Sequence, residues 1–239
     1  MIVLLILYLI VVVQVTNSMN VNVKTQRLAM KQKIFAQSAS VNRGFAATNE
    51  DKNYIASLIA SLCGIKDDSN EENVIDYTKG LLGGNDGDCL LEGTWKMCYT
   101  TAFDVLSIDI NPLAKVEAIY QDLSANGDSI NVIDIGPIFS PLTSDFKSIT
   151  RLQVRTKAKA RSNTRVGLNF VGVNIRSKSL FGIDTGFLPT LGGDFPTTFD
   201  EETTPGFFDV LYLDEDCLII RQNEPGGLFI SLREEKRIV

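Results

Sequence analysis

The 239-residue chain contains no histidine. Histidine is the side chain whose ordinary pKa lies near neutrality, so Ser-His-Asp triads, Cys-His dyads and His-ligated zinc are excluded. Tryptophan occurs once, at Trp95. No Asn-x-Ser/Thr sequon is present, which disfavours a glycosylated secreted protein. The four cysteines, Cys63, Cys89, Cys98 and Cys217, match neither a zinc ribbon nor a CxxC redox pair. In a reducing compartment they are expected as buried thiols; outside one, a pair such as Cys89 with Cys217 becomes credible. Acidic residues are missing from the first 49 positions, where Lys24, Arg27, Lys31, Lys33 and Arg43 give +5. Of 23 basic and 29 acidic side chains in all, the remainder therefore holds 18 against 29, or −11. An acidic body argues against a nucleic-acid binder, whose affinity depends on neutralising phosphates. With 44% hydrophobic residues the chain can still bury a sizeable core.

Ile2 to Val13 is an apolar run too short for a bilayer core that takes roughly 20 residues. It fits the apolar stretch of a signal peptide over residues 1–18, with Thr16 and Ser18 as the small residues before a cleavage point. Residues 19–49 are basic, acid-free and rich in Ser, Asn, Gln and Ala, which is transit-peptide composition. The two in series form the address of plastids of secondary endosymbiotic origin. A signal peptide followed by a secreted linker is the alternative.

A helical lead-in is expected over 50–84. Asn49 to Leu62 starts on a capping-type Asn and places Tyr54, Ile55, Leu58, Ile59 and Leu62 at helical spacing. A second helix is expected from Asn70 to Leu82, ended by Gly83-Gly84. From residue 85 the pattern turns to short β runs: Gly93–Thr101, Val116–Gln121, Ser129–Ile135, Thr150–Ala160, Arg165–Ile175, Phe207–Leu213, Cys217–Gln222 and Gly227–Leu232. Eight strands within 85–239 predict a mainly β fold, an antiparallel barrel wide enough for one ligand. Asn126-Gly127 and Asp214-Glu215 read as hairpin turns.

In the strand from Thr150, period two puts Arg151, Gln153, Arg155, Lys157 and Lys159 on one face. That face is either solvated or a stripe contacting anionic lipid, through Arg151, Arg155, Lys157 and Lys159. Between Leu180 and Phe208 a Gly-, Pro- and Thr-rich segment holds Phe181, Phe187, Phe195, Phe199, Phe207 and Phe208. These rings either pack over the barrel mouth or face something apolar outside.

Gly93-Thr94-Trp95, opening the first strand, resembles the GxW signature of lipocalin-type barrels, in which the indole closes one end. The resemblance implies a late Arg stacked on the indole, and Arg221 stands in the penultimate strand for that role. Leu90-Leu91-Glu92-Gly93-Thr94-Trp95-Lys96-Met97-Cys98-Tyr99-Thr100-Thr101, Ile119-Tyr120-Gln121, and Tyr212-Leu213-Asp214-Glu215-Asp216-Cys217-Leu218-Ile219-Ile220-Arg221 with Gly227-Leu228-Phe229 resemble, in order, the blocks of the plastid lipid-associated protein, or fibrillin, family. The resemblance implies a plastid protein of thylakoids or plastoglobules that binds or organises isoprenoids, prenylquinones, carotenoids or fatty acids. Met97, Tyr99, Tyr120, Leu152, Val154, Phe170 and Tyr212 are the candidate walls, with tyrosine hydroxyls holding a ligand's polar end. A secreted lipocalin-like carrier is the second reading. A lipid-modifying enzyme is the third, although Asp214-Glu215-Asp216 reads as a turn and Asp86-Gly87-Asp88 lacks the ligands of a calcium loop. No residue pattern calls for a metal or cofactor.

Overall fold

The computed structural model describes residues 23–65, 75–108, 114–137, 147–195, 206–223 and 226–238. The apolar run and the cleavage point after Ser18 lie outside them. The chain divides into two units: Met1–Asn42 with Ala46–Asn73, and Arg43–Phe45 with Val74–Val239.

In the first unit, residues 23–40 form helix α1, inside the basic segment. Lys31, Ile34, Ser38 and Val41 are buried at spacings of three and four, one stripe of a 3.6-residue repeat. Helix α2 spans Asn49–Cys63, and Ile55, Leu58, Ile59 and Leu62 form its buried face as the spacing predicts, whereas Tyr54, at the edge of that stripe, is exposed. Its cap is Thr48, not Asn49. The Thr48 hydroxyl accepts from Asp51 N at 3.2 Å while Asp51 Oδ2 accepts from Thr48 N at 2.9 Å, a reciprocal capping box.

The expected second helix does not form over the residues described. Positions 75–84 run through turns, and 70–74 lie outside the described residues. Asp76 Oδ1 accepts from Thr78 N at 3.0 Å and from the Thr78 hydroxyl at 2.9 Å. That side-chain turn offers the backbone bonds a helix would otherwise supply.

All eight expected strands are present in the second unit: β1 Gly93–Thr100, β2 Ala114–Leu123, β3 Asp128–Pro137, β4 Ile149–Ala160, β5 Arg165–Leu180, β8 Phe207–Leu213, β9 Cys217–Gln222 and β10 Gly227–Glu234. Two short strands, β6 Ile183–Asp184 and β7 Leu191–Asp194, and a six-residue helix α3, Phe103–Ile108, complete it. The order β4-β3-β2-β1-β10-β9-β8-β5 returns to β4, and every pair is antiparallel. The eight strands therefore close a ring, which removes the exposed edges of an open sheet. The expected hairpins both form, with Asp128 N on Asn126 Oδ1 at 3.0 Å and Asp214 N on Cys217 O at 3.0 Å.

The seam between β5 and β8 is short, pairing only Arg165, Val166 and Gly167 with Asp209, Phe208 and Phe207. Beyond it β5 runs on, and β6 and β7 fold back against its free edge, Leu191 opposite Ile175 and Ile183 opposite Leu180.

Bulges decide which side chains face inward. The register slips by one residue at Cys98 on β1, Glu117 on β2, Val171 and Lys178 on β5 and Leu211 on β8. Each slip exchanges the faces of the residues that follow. Directly opposed residues share a face, so Val210, Ile220 and Phe229 line one side of the sheet while Tyr212, Ile219, Ile230 and Tyr99 line the other.

The basic face of β4 is not uniform. Arg151 is 4% exposed, its Nε and Nη2 bonded to Asp134 Oδ1 and Oδ2 at 2.7 and 2.8 Å, with Lys178 Nζ on Asp134 Oδ2 at 3.1 Å. Arg151 also donates to the Ile238 carbonyl at 3.2 Å, and Arg237 to the Leu123 carbonyl at 2.8 Å. The C-terminal tail thus crosses this end of the outer face, and Arg151 is structural, not a membrane contact. Burial raises the pKa of Asp134, but Arg151 and Lys178 outweigh it and hold the carboxyl below its ordinary value. Arg155 is bonded to Asp194 and Lys157 to Asp128.

Candidate ligand-binding site

The barrel interior holds two clusters of buried side chains. Trp95, Leu91, Leu123, Val166, Phe208 and Leu218 belong to one; Met97, Ala102, Val105, Val116 and Ile119, with Phe45 and Phe229 against them, form the other. A cavity of about 210 Å³ touches both. Trp95, Met97, Val105, Ile119, Ile133, Val154, Leu168, Phe170, Phe208, Ile220 and Phe229 are its apolar lining, and Asp104, Gln121, Asn131, Gln222 and Ser231 its polar one.

Met97, Val154 and Phe170 line the cavity as expected. Leu152 shares the face of Ile133, its cross-strand partner, but is not part of the lining. Two of the three tyrosines, Tyr99 and Tyr212, do not line the cavity. The Cys98 bulge turns Tyr99 to the opposite face, where it is fully buried opposite Ile230. Tyr212 stands on that face too, and its hydroxyl donates to Asp214 Oδ2 at 2.6 Å. Tyr120 is part of the cavity lining as expected, although it opposes Lys96 and its ring lies 5.9 Å from the Lys96 ammonium. Further polar groups inside are Gln121, opposite both Trp95 and Asn131, with Gln222 and Ser231. Sequence reasoning missed them because an amide in a strand is informative only once the register is known.

The plug at the Trp95 end has a different partner from the one expected. Arg221 opposes Asp209 and Leu228 on the outer face and is exposed. The guanidinium over the indole is that of Arg233, 4.1 Å from the ring centroid, from the residue directly opposite Trp95 on β10. Arg233 donates to the carbonyls of Glu215, Glu92 and Leu90 at 2.6, 2.5 and 2.6 Å, and the indole donates to the Leu91 carbonyl at 2.9 Å. This arrangement explains the glycine of GxW. Gly93 has φ +133, and a Cβ there would lie 2.6 Å from Arg233 Nη1, so only glycine admits the guanidinium. Arg43 acts similarly at the strap 43–45, donating to the carbonyls of Glu117 and Val116 at 3.1 and 2.9 Å.

The Phe-rich segment does not pack as a lid where it is described. Phe181 is 65% and Phe187 81% exposed, and Leu180, Ile183, Leu188, Leu191 and Phe195 are exposed as well. Phe207 is half-buried and Phe208 belongs to the core; Phe199 lies outside the described residues. Phe170, in the cavity lining, is itself 44% exposed.

None of the four cysteines is in a disulfide, so the Cys89–Cys217 pair is absent. Cys217 is buried, Cys89 and Cys98 are half-buried, and Cys63 is exposed, contrary to the expectation that all four are buried. Burial pushes the Cys98 thiol up to about 12. Among the described residues no cluster of Cys, Asp and Glu is arranged to hold a metal.

A family profile, PAP_fibrillin, matches residues 28–231. The chain belongs to the PAP/fibrillin family. No curated protein and no solved structure matches it. Fibrillin membership makes it, in general terms, a plastid lipid-associated protein. The fibrillin family is a structural, lipid-associated one that is not known for catalysis. The match begins within α1 and includes the strap, and so covers part of the segment whose composition suggests a transit peptide.

Proposed function

We propose that this fibrillin holds a hydrophobic small molecule in the barrel cavity and meets a thylakoid or plastoglobule surface through the β5–β7 extension. The observation that carries the reading is that Phe170, on the same strand β5 that bears the extension, both lines the cavity and is exposed. Each 100 Å² of hydrocarbon moved from water into the cavity is worth about 2.5 kcal/mol, enough for a carrier with no chemistry of its own. The exposed rings of Phe181 and Phe187 are of the kind that marks a lipid or partner surface, while Arg155 and Lys157 of the β4 stripe that would compete for that role are paired with Asp194 and Asp128.

Import through a signal peptide and a transit peptide fits the family's compartment. The packed α1 and strap favour processing before residue 28 over processing near residue 45, because the latter removes Ile34, Val41 and Arg43. Purification of the native protein followed by mass spectrometry of extracted lipid tests the carrier reading. Near-stoichiometric recovery of one class of apolar molecule is expected, and recovery only of bulk membrane lipid refutes it.

A further inference from the structure

We infer that the cavity selects a neutral ligand, an apolar molecule headed by a carbonyl or hydroxyl, and rejects an anionic amphiphile such as a fatty-acid carboxylate. The inference rests on the carrier reading and narrows it. The polar lining consists of the amides of Gln121, Asn131 and Gln222, the hydroxyl of Ser231 and the carboxylate of Asp104 at the exposed rim. Amides and hydroxyls donate to a carbonyl and exchange hydrogen bonds with an alcohol. None of them neutralises a carboxylate, and taking an ionised group out of water without a counter-charge is strongly unfavourable.

Among the described residues no Lys or Arg lines the cavity. The two nearby guanidiniums are committed elsewhere, with three nitrogens of Arg233 on the carbonyls of Glu215, Glu92 and Leu90 and two of Arg43 on those of Glu117 and Val116. Within the second unit the stretches 109–113, 138–146, 196–205 and 224–225 lie outside the described residues but hold no Lys or Arg in the sequence, only acids such as Asp109, Asp145 and Glu224; the stretch 66–74 before them holds one, Lys66. The four later stretches bring no cation whatever their course. Among the described residues a carboxylate entering the cavity therefore meets Asp104, a like charge, and no cationic partner. The volume, about 210 Å³, is below the roughly 300–1,000 Å³ of sites that enclose a whole drug-sized ligand. It suits a head group with the start of a chain, the remainder leaving past Phe170.

The test uses the full chain and three probes of equal chain length: a long-chain alcohol, the corresponding methyl ketone and the fatty acid. Each displaces a fluorescent apolar dye at pH 8, where the acid is ionised. The alcohol and ketone are expected to displace it at least 30-fold more effectively than the acid. Asn131→Lys and, as a second variant, Gln121→Lys are expected to raise fatty-acid affinity at least tenfold. Equal or tighter binding of the acid by the unaltered chain overturns the inference and leaves the carrier reading standing. Failure of the dye and all three probes to bind removes both.

Discussion

Replacing Arg233 by Met separates the barrel plug seen in the structure from the one the sequence suggests. The substitution keeps an apolar stem over the indole but removes the cation, 4.1 Å from the ring centroid, and three donors bonded to the carbonyls of Glu215, Glu92 and Leu90. A cation–π contact is worth about 0.5–2 kcal/mol, and hydrogen bonds from a charged group about 1.5–3 kcal/mol each when shielded. Arg233 is only half-buried, so solvent screening brings the total to about 2–4 kcal/mol. For a chain of this size that lowers Tm by about 5–15 °C. Arg221→Met removes an exposed side chain and should cost no more than about 0.5 kcal/mol. Thermal unfolding by circular dichroism measures both, and Trp95, the single tryptophan, reports the plug through its emission. Equal losses for the two variants, or an unchanged Trp95 spectrum in Arg233→Met, would refute the assignment.

Asp134→Asn leaves Arg151 and Lys178 without their carboxylate and should cost about 3–5 kcal/mol at pH 7. Because the folded-state pKa of Asp134 is held low, its contribution is complete above the unfolded value of about 3.9 and fades as pH falls through the lower folded value. Chemical denaturation at stepped pH should therefore show the variant converging on the parent only below about pH 4. Phe181→Ser with Phe187→Ser should remove about 2–4 kcal/mol of lipid contact and reduce partition in liposome flotation at least about 30-fold. Lys157→Gln with Lys159→Gln should change it less than about threefold; the reverse ranking transfers the lipid contact to β4. Alkylation at pH 8 should modify exposed Cys63 within minutes and Cys98, its thiol pushed up to about 12, about 10³-fold more slowly than an unperturbed cysteine. Fast labelling of Cys98 would mean that β1 opens.

The strands were legible in the sequence because turn residues bracket β-branched runs, as at Asn126-Gly127 and Asp214-Glu215, and both hairpins form there. Facing was less legible. Period two puts Met97 and Tyr99 on one wall, but the Cys98 bulge turns them apart, and nothing in a single sequence marks Cys98 as the extra residue. Arg151 reads as one more solvated cation until β3 brings Asp134 alongside it and the tail passes over both. The plug was half legible. GxW locates the indole, but which arginine covers it depends on β10 closing the ring against β1, a long-range pairing that local pattern does not encode. The 70–82 segment misleads because helical spacing is present while Asp76 and Thr78 close a turn of their own.

The central claim, that the barrel interior takes up an apolar molecule, is tested most directly through Trp95, which lines the cavity and is 1% exposed. A long-chain alcohol brominated near its hydroxyl is titrated into the full chain, with indole emission as the readout. Saturable quenching at one equivalent, lost when Val154→Trp fills the cavity and the added indole is subtracted, is the expected result. Quenching that rises linearly without saturation, or is untouched by the filling substitution, would contradict the account.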